Sequence, residues 1–390
     1  MEEFYKGGVA LDLQDIDDLS DDQKNALVAI KKWWNHRTTR YFSVGGVAGS
    51  GKTTLISRLA EELKLPESNV LYCAFTGKAA LVMRRKGIEA DTIHHGIYDA
   101  VKTIENGKIS YEFVLRSFLS RSYRLIVIDE SSMIGDKLWA DILSFGIPVI
   151  IFGDHQQLPP VEGKLNLMEN PDFKMEKVLR QLEDSPILRL ASMAINGETI
   201  KFGEFGSGVI KKRAVDLVDN DFDVFSQVVV GKNINRIFIN RAIRDIRGYS
   251  NDLHCDERLV VTANNARHTV FNGQIIYLIR DGKVRKDHYV INFIDEYEKL
   301  DAIHGALAEP RTCKAVIGVP REHQLEKRYS GCIHIDYGYA ITVHRAQGSS
   351  WENVMVYDDG FGRWSGGDIY RRWLYTAITR AERQLTIAVP

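Results

Sequence analysis

An α/β fold built on two parallel-sheet domains is what this 390-residue sequence predicts, and three observations carry that prediction. Apolar runs of strand length, among them "RLIVIDESSM" and "IPVIIFGDHQQLPPV", alternate with helical segments, and each ends in a polar signature. Such continuous runs suit strands buried on both faces, and polar residues at their carboxyl ends place ligands at the strand tips. A glycine-rich loop, "GGVAGSGKTT" over Gly45 to Thr54, lies between the apolar run Tyr41 to Val44 and the helical stretch Leu55 to Leu63. The second half repeats the strand, turn and helix pattern in "FSQVVVGKNINRIFINRAIRDI", without a loop of that kind.

Taken in order, "LSDDQKNALVAIKKWW" offers Ser20 as a helix cap with acidic residues in the first turn. The glycine loop follows, then the strand "NVLYCAF" ending in "TGKAA". A small insertion near residues 92–122 holds "VKTIENGKISYEF", where Asn106-Gly107 signals a type I′ hairpin. Residues 254–333 change texture to short strands separated by Asn, Gly and Asp turns, which reads as an all-β insertion. "HIDYGYAITVHRAQGSSWENVMVY" and "RRWLYTAITRAERQLTIAVP" then return to strand and helix.

The bulk composition, 44% hydrophobic and 26% charged, supports buried cores in two or more domains. No run of about 18 apolar residues exists and the start lacks the layout of a signal peptide, so a cytoplasmic chain with no membrane partner is expected. Cys73, Cys255, Cys313 and Cys332 form no C-x-x-C pair, which argues against a disulfide framework or a zinc site. The net charge of −1 means that any nucleic-acid contact must come from a local groove. The basic clusters Arg84-Arg85-Lys86 and Lys211-Lys212-Arg213 read as solvated faces.

Gly46 to Thr53 fits G-x-x-x-x-G-K-[ST], a loop whose backbone N–H groups wrap phosphates. Gly46, Ala48, Gly49, Ser50, Gly51 and Thr54 would cradle a nucleoside triphosphate, Lys52 would neutralise its phosphates, and Thr53 would reach Mg2+. Asp129 and Glu130 end a buried strand: Asp129 suits the metal, and Glu130 suits orientation and deprotonation of an attacking water. Gln157, in "GDHQQLPP", can hydrogen-bond a γ-phosphate or the water beside it. Arg180 in "EKVLRQ" and Arg380 in "YTAITRAERQ" are candidates for a guanidinium delivered to the transferring phosphoryl group.

The motifs "LSDDQKNAL", "GGVAGSGKTT", "AFTGKAA", "DTIHH", "VIDESSM", "GDHQQLPPV", "VLRQ", "YAITVHRAQGSSWENV" and "LYTAITRA" occur in the order of the superfamily 1 helicase motifs. Over roughly residues 18–390 the chain resembles the RecD/Dda branch, superfamily 1B, with small insertions most similar to the phage Dda type. The resemblance implies two RecA-like motor domains, 18–177 (with an insertion at about 92–122) and 178–253 plus 334–390, after a lead-in at 1–17. It also implies that Asn272-Gly273 is a turn of an SH3-like insertion over 254–333. By the same resemblance Gln23 reads the adenine edge and Gly348 approaches the nucleotide. Thr76, Lys78, His94, Thr342 and His344 would lie along single-stranded DNA, gripping phosphates without reading bases.

The function so implied is ATP-dependent translocation on single-stranded DNA, 5′ to 3′, with unwinding of duplex forks by a monomeric motor. Replication or single-strand-binding proteins are further possible partners. An RNA helicase, a protein-stripping translocase and a nucleotide-switched binding module are the alternatives. Glu130 and the two arginines argue against the switch, which has no use for fast turnover.

Overall fold

Ser20 opens the first helix, α1 (Asp21–His36), through a capping box: its hydroxyl accepts from the Gln23 N–H, and the Gln23 amide oxygen accepts from the Ser20 N–H. Two otherwise unpaired donors are satisfied, and Asp21 and Asp22 add favourable charge to the first turn. The computed structural model describes residues 19–390 except 106–107, 120–121, 161–162, 164, 179–183, 266, 269, 287, 297, 300–309, 319–330 and 364–366. Asn106-Gly107 and Arg180 therefore lie outside the described residues. The chain divides into two compact units: one runs to Gly96 and takes in Phe118–His155 and the stretch from Pro159, and the other takes in Ile97–Ser117, Gln156–Leu158 and Asp184–Pro390.

After α1 come β1 (Tyr41–Gly46), α2 (Lys52–Glu62), β2 (Val70–Ala74), α3 (Gly77–Arg85), β3 (Ala90–Thr92) and α4 (Ile93–Ile97). The hairpin β4 (Tyr98–Glu105) and β5 (Lys108–Leu115) interrupts this unit and groups with the other one. β6 (Leu125–Asp129), α5 (Asp136–Ser144), β7 (Val149–Gly153) and β8 (Phe173–Met175) complete the first unit. Its sheet has the order β3-β2-β6-β7-β1-β8 and is parallel throughout. β2, β6 and β7 are buried at every residue, as helices on both faces require.

The second unit begins with α6 (Pro186–Asn196), β9 (Gly203–Gly206), β10 (Val209–Arg213), α7 (Asp221–Val224), β11 (Gln227–Val230) and α8 (Asn233–Ile246). There follow β12 (Arg258–Val261), β13 (Ile275–Leu278), β14 (Lys283–Val284), β15 (Tyr289–Asp295), β16 (Arg311–Ile317) and β17 (Cys332–Tyr337). β18 (Ala340–Thr342), α9 (Val343–Ala346), β19 (Trp351–Tyr357), α10 (Asp368–Ile378) and β20 (Ala381–Val389) end the chain. One six-stranded sheet of this unit has the order β18-β11-β19-β20-β10-β9, parallel except for β9.

β12 pairs with both β13 and β17, and the additional β13 to β15 pairing closes β12, β13, β15, β16 and β17 into a small barrel. Closure removes sheet edges and leaves an interior just large enough for Leu259, Ile276, Phe293, Ala315 and Ile333 to fill. The hairpin meets the barrel through Phe113, whose ring stacks on Phe271 with centroids 5.5 Å apart.

A buried ion pair ties α8 to the entry of the barrel: Arg244 Nε donates to Glu257 Oε1 at 2.5 Å, and Glu257 is wholly buried. Arg244 Nη2 also donates to the Ser250 and Asp252 carbonyls at 2.6 Å each. Removing one partner strands a buried charge, so Glu257→Ala should destabilise the second unit by about 3–5 kcal/mol, measured by urea denaturation. The double change Arg244→Met with Glu257→Leu should recover most of that loss, because an apolar pair of similar volume leaves no charge uncompensated.

Candidate nucleotide and nucleic-acid site

β1 delivers the chain at Gly46 into a loop that only glycine permits. A Cβ at Gly46 would stand 2.6 Å from Ser50 Oγ and 2.9 Å from Lys52 Cγ, and Gly49 and Gly51 have φ of 78° and 81°. α2 starts immediately after, and its first internal bond is Leu55 N–H to the Gly51 carbonyl at 3.1 Å. The N–H groups of Lys52, Thr53 and Thr54 thus lack helical partners, which is the anion-binding arrangement of a helix N-terminus. Ser50 Oγ is buried without a hydrogen-bond partner among the described residues. Lys52 Nζ donates to the Gly46 carbonyl at 2.6 Å and to Val47 at 3.1 Å, so its ammonium lies over the loop. The loop residues fit the phosphates of a nucleotide.

Gln23 is buried beside this loop, and its Nε2 donates to the Gly51 carbonyl at 3.1 Å. The same amide therefore closes the α1 cap and touches the phosphate loop. Asp129 ends β6, is almost fully buried and accepts from the Glu130 N–H at 2.8 Å. Burial pushes its carboxyl pKa up, and Lys52, that N–H and Lys86 oppose the shift. A buried carboxylate under such a penalty suits a divalent cation, so Asp129 with Thr53 fits Mg2+. Glu130 sits in left-handed backbone with φ of 56°. For a non-glycine residue that conformation costs roughly 1–3 kcal/mol, and such strain clusters at functional sites.

Sheet order fixes how these groups are spread. β1, β7, β6, β2 and β3 are parallel neighbours, so Gly46, Gly153, Asp129, Ala74 and Thr92 all finish at one edge. At about 4.8 Å per strand, β1 and β3 are about 19 Å apart. Thr76 and Lys78 follow β2, and His94 follows β3, so they lie at the far flank from the phosphate loop with Asp129 between. Thr76 caps α3, its hydroxyl accepting from the Ala79 N–H at 3.2 Å. Burial holds the His94 imidazole below the ordinary histidine range and hence neutral at pH 7.

In the second unit Thr342 ends β18 and His344 lies in α9, its ring 5.5 Å from Phe361. Burial lowers the His344 pKa as well. The next turn holds Gln347, which is buried, and Gly348, whose φ is 68°. Gln347 Nε2 donates to the Leu158 carbonyl at 2.7 Å, Thr376 Oγ1 accepts from the Leu158 N–H at 3.0 Å, and Arg372 Nη1 donates to the Gln157 carbonyl at 3.3 Å. Gln157 is thereby held by the same unit as Thr342 and His344, although it follows β7 in the chain. Arg380 is buried just after α10, and its guanidinium donates to Thr376 O, Ser349 O and Thr379 Oγ1 at 2.9, 2.9 and 3.1 Å.

Two family models match the chain. Residues 18–208 match an AAA domain, and residues 337–388 match a UvrD-like helicase C-terminal domain. The ATP-dependent RecD2 DNA helicase of Deinococcus radiodurans is 26% identical over 352 residues, covering 86% of this chain and 45% of that protein. By these matches the chain carries an AAA domain and a UvrD-like helicase C-terminal domain, and it is similar to a RecD2 DNA helicase. A conjugal transfer protein TraA of Rhizobium radiobacter is 23% identical over 95% of this chain and 32% of its own length. The chain therefore spans less than half the length of these curated relatives. Its fold is shared with a Bacteroides Pif1 helicase in complex with ADP-AlF3 and single-stranded DNA, at a TM-score of 0.51 and 16% identity over 95% of this chain and 92% of that one.

The sequence alone does not point to Thr376, His155 or Lys86 as site residues. Thr376 lay inside the motif "LYTAITRA", but its partner Leu158 is 218 residues away, and no local pattern announces that bond. His155 packs its Nδ1 within 3.0 Å of where a Cβ on Gly45 would stand, so it lies against the phosphate loop. Gly46→Ala should weaken nucleotide binding at least about tenfold while leaving the thermal unfolding midpoint within a few degrees of wild type, because the added methyl meets the loop's own side chains. Fluorescent-nucleotide titration beside a melting curve checks this.

Proposed function

We propose that this chain is an ATP-driven motor that moves along single-stranded DNA, 5′ to 3′, and separates a duplex at a fork. The observation that carries this reading is the segment after β7: Gln157 is anchored through its backbone to the unit that holds Thr342 and His344. A residue suited to reading a γ-phosphate is thus mechanically joined to the loop suited to gripping a strand. The relatives support the same reading, since RecD2 is named a DNA helicase and a Pif1 structure is titled for unwinding at forked double-stranded DNA.

In this proposal Gln23 reads the adenine edge, Gly46 to Thr54 hold the phosphates, and Lys52 neutralises them. Thr53 and Asp129 hold Mg2+, which when bound screens phosphate charge. Glu130, fixed in left-handed backbone, aligns the attacking water and takes its proton, while Gln157 hydrogen-bonds the terminal phosphate. Arg380, and Arg180 outside the described residues, act on the charge of the transferring group, and Gly348 lies by the nucleotide. Thr76, Lys78, His94, Thr342 and His344 hold DNA phosphates as hydrogen-bond donors. We assign 18–177 and 178–253 with 334–390 to the motor domains and 254–333 to the insertion. The motor acts as a single chain.

Glu130→Gln should keep ATP affinity and lose turnover by at least about a hundredfold, and chelation of divalent cations should abolish turnover in the wild type. Steady-state hydrolysis and nucleotide titration read both. DNA forks with a 5′ tail should be unwound and forks with only a 3′ tail should not; the reverse result would overturn the polarity. Gln347→Ala and Thr376→Val should shrink together the effect of a non-hydrolysable ATP analogue on DNA affinity and the effect of DNA on analogue affinity, typically about 5–150-fold in a coupled system. Paired titrations in each variant measure this reciprocity.

A further inference from the structure

Lys86 closes a run of three basic residues that reads from sequence as solvated surface, yet Arg84 and Lys86 do different things. Arg84 turns away from the nucleotide site, its Nε donating to the Ala90 carbonyl at 2.7 Å and its Nη2 to Asp91 at 3.4 Å. Lys86 turns toward it: its Nζ lies 3.4 Å from Thr54 Oγ1 in the first turn of α2. Its root is fixed. The Lys86 N–H bonds the Met83 carbonyl at 3.0 Å, Gly87 turns the chain at φ of 82°, and Ala80 and Met83 of α3 pack in the same core as Leu55 and Ile56 of α2.

Lys86 makes no ion pair among the described residues, and partial burial of its ammonium lowers its pKa. A Lys ammonium beside the unpaired N–H groups of the α2 N-terminus is within reach of whatever anion binds there.

We propose that Lys86 is a second phosphate-facing cation of the nucleotide site, reaching the phosphate chain beside Thr54 from the end of α3. This rests on the reading of Gly46 to Thr54 as the ATP loop. The same short helix begins at Thr76, so one rigid element of nine residues, about 13 Å long, carries the proposed strand contact at its start and a nucleotide contact at its end.

The test uses the full chain and equilibrium titration with fluorescent AMP, ADP and a non-hydrolysable ATP analogue, with Mg2+ and with chelator. Lys86→Met should weaken ADP and ATP-analogue binding about five- to tenfold and AMP binding less than about twofold, the loss shrinking at high salt. Lys86→Arg should restore most of the affinity, which a merely structural role would not require. In hydrolysis, the loss should fall on KM more than on kcat. Because Lys86 lies in the exposed stretch at the end of α3, the melting temperature should not move. Lys86→Met affinities within about twofold of wild type for every nucleotide, while Lys52→Ala abolishes binding, would overturn the role of Lys86 and leave the loop assignment standing. A wild-type chain that binds no nucleotide would overturn both.

Discussion

Parallel strand direction in the first sheet is the constraint from which the rest of the structure follows. Because β1, β7, β6, β2 and β3 run one way, every carboxyl end reaches the same edge, and both faces must be covered by helices. That edge is where loops can carry polar residues without disturbing the buried ladder. The phosphate loop, Asp129, the start of the segment after β7 and Thr76 are thus one row of strand ends, spaced by backbone hydrogen bonding rather than by side-chain choice.

Holding Asp129 in such a row has consequences for charge. The carboxylate is buried at the end of an apolar strand, and the opposing influences come from Lys52, a backbone N–H and Lys86. A chain with net charge −1 has little whole-molecule attraction for polyanions, so cations must be concentrated locally. The structure does this at the phosphate loop with one lysine from the motif and one from the end of a neighbouring helix.

The second unit is assembled by polar contacts between elements far apart in sequence. Gln347, Thr376 and Arg372 hold Gln157 and Leu158 through backbone groups, which constrains path rather than chemistry. Glu296 of the barrel region accepts from Trp351 Nε1 at 2.9 Å and from Arg258 Nη2 at 3.2 Å. Trp351 starts β19 a few residues after Gln347, so the barrel is tied to the strand that leaves the same loop. These buried groups are costly to leave unpaired, which makes the network resist local rearrangement.

The sequence by itself determined what depends on neighbours along the chain. Gly46 to Thr53 is legible because its conformation needs glycine at fixed spacing, Ser20 because a cap acts over three residues, and the buried strands because an uninterrupted apolar run has few other uses. The resemblance to the superfamily 1 helicases followed from motif order. Only the tertiary structure decided that Gln157 is held by the second unit, that β13 meets β15 to close a barrel, that the 98–115 hairpin groups with that barrel's unit, and that the Lys86 ammonium reaches Thr54. Each of these depends on contacts between segments distant in sequence, and a lysine in a basic run looks the same whichever way its side chain turns. Direction in space is set by packing of α3 on the shared core, a property of the folded unit that no local pattern encodes.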